Sequence, residues 1–154
     1  MVAALLKDGR TDPSDKKSES LVAASRSGST RTVQLLLKDK RANPAAQGSR
    51  CLLVASELGH TGALWLLLRD GRADPTTENN KCLLNSCTAK RADIVNIILV
   101  DKRADPGADK NASLLAAYEA EALEIMELIL LDGRIDPAAC ESKMMEILVR
   151  GMIS

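Results

Sequence analysis

The sequence predicts an all-α protein, a solenoid of stacked antiparallel helix pairs, and three observations lead to this fold class. A turn motif recurs every 31 residues along the chain. Apolar residues between the turns recur at i, i+3 and i+4, the spacing of a helix face. The chain has one Trp, one Tyr and no Phe. A core of Leu, Ile, Val, Ala and Met suits closely packed helices better than a β-sandwich.

The turn motif contains an Asp-Pro or Asn-Pro step, and it uses all five prolines of the chain. An arginine stands two residues before each Asp or Asn, and an aspartate stands two residues before each arginine. The five copies end at Pro13, Pro44, Pro75, Pro106 and Pro137. Proline disfavours helix at the residue before it, so each copy ends a helix. Three residue types in register indicate an internal repeat, the signature of a solenoid.

Each 31-residue interval predicts two helices. The first helices cover residues 18–27, 49–58, 80–89 and 111–120, and the second helices cover residues 30–39, 61–70, 92–101 and 122–132. Leucine opens the apolar pattern of each first helix, and a column of small residues, Ala24, Ala55, Ser86 and Ala117, lets the first helices approach closely. Glycine or lysine follows each second helix, and the left-handed conformation expected there costs Lys40 and Lys102 roughly 1 kcal/mol.

The repeat divides the chain into one domain of six segments. These are an N-terminal half repeat (1–10), four full repeats (11–41, 42–72, 73–103 and 104–134) and a C-terminal half repeat (135–154). A single helix pair of this length cannot bury its own apolar stripe, so neighbouring pairs are expected to share a continuous core.

The pattern resembles the ankyrin repeat. The residues that carry the resemblance run from Leu52 to Gly59-His60, followed by Leu64, Leu67-Leu68 and Asp70-Gly71. Two features depart from the family. The period is 31 residues, against 33 in ankyrin repeats, so we expect shortened fingers. The threonine-proline-leucine-histidine signature is missing, so its hydrogen bonds must be replaced or absent.

The resemblance implies a module that binds a partner protein through a concave surface of first helices and fingers. By position, the first-helix stripe is Arg26, Ser27, Glu57, Leu58, Thr88, Ala89, Glu119 and Ala120, with Tyr118 at its rim. The fingers are residues 15–17, 46–48, 77–79 and 108–110. Trp65 belongs to a polar column on the convex side, either as an exposed contact anchor or as a partly buried ring lying on the helix.

The sequence offers no catalytic constellation, cofactor loop or metal-ligand spacing, so we expect a protein that is not an enzyme. His60, the one histidine, occupies the family's Gly-His position, where we expect a structural role. The four cysteines are expected to be buried apolar thiols, with Cys51 and Cys82 about 10 Å apart, one helix spacing. Each arginine of the turn motif is expected to pair with an aspartate of its own or of the next unit, and each Asp or Asn before proline is expected to form an Asx turn.

The charge and hydropathy of the chain limit the classes of partner that it is expected to bind. Lys plus Arg and Asp plus Glu both number 21, which leaves no net attraction for nucleic acid or an anionic membrane. No apolar run is long enough to span a membrane, and a soluble intracellular location, cytoplasmic or nuclear, is expected. The alternative function is self-association, because the two half repeats would expose apolar ends that could stack end to end.

Overall fold

The computed structural model describes residues 18–135, and all regular structure within this range is α-helix. The eight helices are α1 (Glu19–Arg26), α2 (Thr30–Asp39), α3 (Ala46–Leu58), α4 (Thr61–Asp70), α5 (Thr77–Thr88), α6 (Ala92–Asp101), α7 (Ala108–Glu119) and α8 (Leu123–Leu131). The all-α expectation is therefore confirmed for this part of the chain. Residues 1–17 and 136–154 lie outside it, and with them the predicted half repeats, the first finger, Cys140 and the apolar ends.

The helices form two layers. The first helices α1, α3, α5 and α7 contact one another in that order, and so do the second helices α2, α4, α6 and α8. Each first helix also contacts the second helix that follows it in the chain. One continuous cluster of buried side chains runs between the layers. The fully buried leucines at the start of the first helices, Leu21, Leu52, Leu83 and Leu114, are spaced 31 residues apart, as the pattern predicts.

Residues with positive φ end the helices. Between the two helices of a pair these are Gly28, Gly59, Lys90 and Glu121, and after the second helices they are Lys40, Gly71, Lys102 and Gly133. The expected left-handed conformation of the two lysines after α2 and α6 is confirmed, with φ of 63° and 67°. The turn position thus prevails over the preference of the residue type.

The expected fingers are not present as hairpins. Residues 47–49, 78–80 and 109–111 instead each form three consecutive left-handed residues, which lead directly into the right-handed part of a first helix. Five residues lie between Pro44 and Arg50, too few for two paired strands and a turn. The shorter period therefore replaces the finger with a left-handed turn.

A buried polar side chain holds each left-handed turn against the next helix pair. Ser49 Oγ accepts a hydrogen bond from the backbone N–H of Asp74 at 2.8 Å, and Asn80 Oδ1 accepts one from Asp105 at 3.0 Å. Ser18 Oγ makes the same bond with Asn43 N–H at 2.7 Å. Each bond contributes about 1 kcal/mol, which offsets part of the roughly 1–2 kcal/mol that each left-handed residue costs, and the bonds link successive helix pairs.

The Asp and Arg that recur in the turn motif form a second link between successive helix pairs. Arg103 makes a bidentate pair with Asp101 at 2.7 and 3.0 Å. Its remaining N–H groups donate to the backbone carbonyls of Leu68, Gly71 and Ala73, at 2.9, 3.3 and 2.7 Å. The carbonyl of Leu68 lies in the last turn of α4, where it also accepts the N–H of the C-cap residue Gly71 at 3.1 Å. Arg72 and Arg134 repeat this arrangement with the carbonyls 30, 32 and 35 residues before them.

The residue before each proline forms the expected Asx turn. The side-chain oxygens of Asn43, Asp74 and Asp105 accept the N–H two residues later at 3.0, 2.8 and 2.9 Å. The expected pairing of each arginine with the aspartate of its own turn is also confirmed. Within residues 18–135 no buried side-chain nitrogen or oxygen lacks a hydrogen-bond partner. The repeated residues that hold the helix pairs together, which we call the frame, thus have their buried polar side-chain atoms hydrogen-bonded within the protein. The exposed positions are left for contacts with other molecules.

Candidate functional site

The predicted first-helix residues form a row of exposed side chains across the first-helix layer. Arg26, Glu57, Thr88 and Glu119 are spaced 31 residues apart, lie at or near the end of their helices, and are all exposed. Because successive first helices contact one another, these side chains are neighbours along one surface. We call these four side chains, together with the neighbouring exposed residues Ser27, Leu58 and Ala89, the first-helix row.

Part of the row is held in place by neighbouring groups. Asn85 Nδ2 donates to Glu57 Oε1 at 2.8 Å, a bond that joins α3 to α5. Thr88 Oγ1 donates to the carbonyl of Leu84 at 3.1 Å, and Ser27 Oγ donates to the carbonyl of Ala24 at 3.0 Å. The Glu57 side chain is exposed and is restrained by this bond, which reduces the entropy that binding would cost.

Two hollows lie along the row. One, of about 290 Å³, is lined by Arg26 and Arg50 from neighbouring first helices, above the apolar Val22 and Ala23. The other, of about 410 Å³, is bordered by Thr88 and Glu119. The structure thus brings the predicted residues of α5 and α7 to one depression, and it gives the row near one end a hollow lined by two arginines and by Glu19.

Tyr118 and Leu58 contribute apolar surface. Tyr118 is partly buried against the core and borders, with Glu119, a further hollow of about 500 Å³. Leu58 is 47% exposed at the end of α3. An aromatic ring with a free hydroxyl edge and a half-exposed leucine are side chains that protein interfaces use as contacts.

Trp65 does not join this row. It lies on α4, in the second-helix layer, beside Ile97 and Val100 of α6. Its side chain is 47% exposed, and the guanidinium carbon of Arg69 lies 4.8 Å from the ring centre. Both alternatives left open by the sequence are therefore partly met, since the ring lies against its own helix and keeps half of its surface in solvent.

His60 packs its helix pair against the preceding one. Its Nε2–H donates to the backbone carbonyl of Arg26 at 3.0 Å, and the ring covers Gly28. Arg91 occupies the equivalent position one interval later and covers Gly59 in the same way. A carbonyl oxygen can only accept, so this nitrogen carries the proton and is not available as a general base.

The three described cysteines are buried and unpaired by disulfides. Burial raises the pKa of Cys51 and of Cys87 to about 12, and that of Cys82 to about 11. Cys51 Sγ donates to the carbonyl of Pro44 at 3.2 Å. A thiol that stays protonated and covered is not a nucleophile, so these side chains act as small core residues, as expected.

No three His, Cys, Asp or Glu side chains within residues 18–135 are grouped so that they could hold a metal ion. None of the helices in this range has the length and apolar character needed to cross a membrane.

Three residues of this surface escaped the sequence-based assignment: Arg50, Asn85 and Lys90. Arg50 and Lys90 line the hollows of the row, and Asn85 holds Glu57. Two other helix pairs have glycine at the position of Lys90, so the sequence indicated only the end of a helix there. Asn85 differs from Ala23, Val54 and Ala116 at its column, a polar residue among apolar ones that could have drawn attention to the position.

No protein-family model matches the sequence, and no curated protein matches it significantly.

Proposed function

We propose that this chain is an ankyrin-type repeat array that binds a partner protein through the first-helix row. The observation that carries the proposal is the contrast between a uniform frame and a variable surface. Positions that hold the helix pairs together keep the same residue types at 31-residue intervals. The row positions between them present Arg26, Glu57, Thr88 and Glu119, four different local environments on one surface.

The frame suits this role because it is rigid for a physical reason. Within residues 18–135, Arg72, Arg103 and Arg134 have donors directed at carbonyls of the preceding helix pair. Ser49 and Asn80 bond the left-handed turns at the start of α3 and α5 to the next helix pair. A surface held by such links is ordered before a partner arrives, so association costs less conformational entropy.

The chemistry of the buried groups supports a binding role over a catalytic one. The described thiols are protonated and covered, and the imidazole of His60 is committed to a carbonyl. The hollows of the row open at the surface and are lined by charged and small side chains. Shallow sites of this kind match the polar and apolar mixture of a protein interface better than an enclosed substrate pocket.

The test is affinity capture with the intact chain and a charge-reversed variant of the row. Arg26→Glu, Glu57→Lys and Glu119→Lys are combined, which inverts the charge pattern of the row while leaving every frame residue in place. We expect a captured partner to bind the variant at least about tenfold more weakly, since like charges placed across an interface cost several kcal/mol.

The control is Lys40→Glu, which reverses a solvent-exposed charge directly after α2, outside the row. A partner that binds the control as it binds the parent, and the row variant weakly, supports the proposal. Equal binding of all three proteins would refute the assignment of the row. Far-ultraviolet circular dichroism verifies that each variant is folded.

A further inference from the structure

The outer surface of the second-helix layer carries a second pattern, which the first-helix row does not use. Each second helix has three exposed positions spaced i, i+3 and i+7, which lie on one side of the helix. They are Arg31, Gln34 and Lys38 on α2, Gly62, Trp65 and Arg69 on α4, Asp93, Asn96 and Val100 on α6, and Glu124, Glu127 and Leu131 on α8. We call these twelve positions the outer face.

Charge changes sign steadily along the outer face. It carries two positive side chains on α2 and one on α4, then one negative side chain on α6 and two on α8. The first-helix row alternates instead, with Arg26 followed by Glu57, uncharged Thr88 and Glu119. The gradient therefore belongs to the outer face and not to the array as a whole. None of its six charged side chains takes part in the salt bridges found within residues 18–135.

The middle of the outer face is apolar. Trp65 and Val100 are 47% and 70% exposed and lie on opposite sides of a groove of about 130 Å³ between α4 and α6. Half-buried Leu66 and Ile97 extend this surface toward the core. Four of the six charged side chains lie on the end helices α2 and α8, where Leu131 is a further exposed apolar side chain. The face therefore combines apolar contacts near its middle with mostly charged ends, as protein interfaces do.

We propose that the outer face pairs with the outer face of a second copy of this chain. The pairing axis is a two-fold that runs parallel to the helices, between α4 and α6. It places α4 against α6 of the other copy and α2 against α8. Arg31 then faces Glu124 of the other copy, at the same height along the helices, and Trp65 lies beside Val100 and Asn96 of the other copy.

The charge pattern favours a second copy as the occupant. The three positive and three negative side chains of the face are equal in number and separated along it. A copy rotated about this axis therefore places the positively charged α2 and α4 against the negatively charged α8 and α6, with Arg31 opposite Glu124, so that the face is complementary to itself as an isologous interface requires. An axis perpendicular to the helices would instead place α2 against α2 and α8 against α8, which brings like charges together. The interface uses other helices than the first-helix row, so it is independent of the proposed function.

Sedimentation equilibrium of the full chain over a concentration series tests the stoichiometry. We expect a reversible rise from the mass of one 16.5 kDa chain to twice that mass, with no larger species. A constant monomer mass at the highest concentration overturns the proposal. Continued growth beyond the dimer also overturns it, because open-ended assembly requires contacts that do not close.

Charge reversal tests the orientation. Arg31→Glu and Glu124→Arg each place like charges across the interface twice per dimer, and each should raise the dimer dissociation constant about tenfold or more. The two changes combined in one chain should restore the dimer. An equimolar mixture of the two single variants should restore it as well, since each variant then meets the opposite charge. Single variants that dimerise like the parent, or a double variant and mixture that do not recover, would contradict this geometry.

The control is Arg26→Glu on the first-helix row, which should leave dimerisation unchanged. Thermal unfolding of each variant shows that a loss of pairing does not arise from loss of folding. Trp65, the one tryptophan of the chain, reports the contact directly. Its quenching by acrylamide should fall as the dimer forms, whereas quenching that stays constant while the mass doubles places the interface elsewhere and rejects the outer face.

Discussion

The imidazole of His60 lies directly over Gly28, at the point where the first helix of the preceding pair ends. A Cβ at Gly28 would lie 2.6 Å from the ring Nδ1, closer than van der Waals contact permits. Gly59 is covered by Arg91 in the same way. One interval later the glycine position holds Lys90, and the residue that would cover it is Ala122. Glycine is thus present where the following pair supplies a large side chain.

Gly28→Ala should destabilise the fold by two separable effects. The left-handed conformation, with φ of +67°, costs alanine about 1 kcal/mol, and the contact with His60 adds roughly 1–3 kcal/mol of overpacking. Gly71→Ala is the matched control, because Gly71 also has positive φ but no atom within 4 Å of its added Cβ. Urea unfolding should show the larger loss for Gly28→Ala. In a His60→Ala background the two substitutions should cost about the same, and an unchanged difference would contradict the proposed contact.

Arg103→Lys should lower stability although it preserves the charge. Arginine at this position makes a bidentate pair and donates to three carbonyls, a pattern that the single ammonium of lysine cannot reproduce. Loss of two or three such bonds should cost about 2 kcal/mol in urea unfolding. Arg50→Lys is the control, since Arg50 bonds only to the exposed side chain of Gln47, and a similar loss in both variants would argue against the carbonyl contacts.

Lys40→Gly should stabilise the protein. Lys40 follows α2 with φ of 63°, and glycine adopts this conformation without the steric cost of about 1 kcal/mol. Lys38→Gly, two residues earlier and inside the helix, should instead cost about 1 kcal/mol. Thermal melting of the two variants should therefore move in opposite directions, and a decrease in both would show that the lysine side chain stabilises this turn.

Low pH should weaken the ion pairs that Asp132 forms with Arg134 and Lys102. Hydrogen bonds from Arg134, with that from Lys102, hold the pKa of this carboxyl below its ordinary value of 3.8, and its side chain is 4% exposed. A lowered native pKa means that the contribution is complete above 3.8 and is lost as the pH falls through the native pKa. The free energy of unfolding should therefore drop between about pH 5 and about pH 2 by more in the parent than in Asp132→Asn. Parallel pH profiles would exclude Asp132 as a source of the acid sensitivity.

The buried thiols should be unreactive in the folded state. A Cys140→Ser background leaves only Cys51, Cys82 and Cys87, whose pKa values are raised by burial to about 12, about 11 and about 12. A disulfide reagent at neutral pH should modify them at a rate that follows unfolding and rises steeply in urea. Rapid modification of one thiol without denaturant would show that its site opens locally.

The sequence by itself determined the succession of helix pairs, the buried columns and the turn chemistry, whereas the starts of α3, α5 and α7 lie three residues before the predicted ones. Leu21 and Leu52 are buried, Asp74 forms an Asx turn and Arg103 pairs with Asp101 because each outcome depends on residues close in the chain. The period of apolar residues and the position of proline express such local preferences directly. The expectation of fingers went beyond these local rules and was wrong.

Only the tertiary structure decided how one helix pair meets the next. The carbonyl partners of Arg103, the bond from Asn85 to Glu57 and the cover that His60 gives Gly28 all join residues about one interval apart. Their formation depends on the offset and rotation between stacked helices, which no single segment contains. The charged residues of the outer face are visible in the sequence. They form one surface with a charge gradient only because stacking places α2, α4, α6 and α8 side by side.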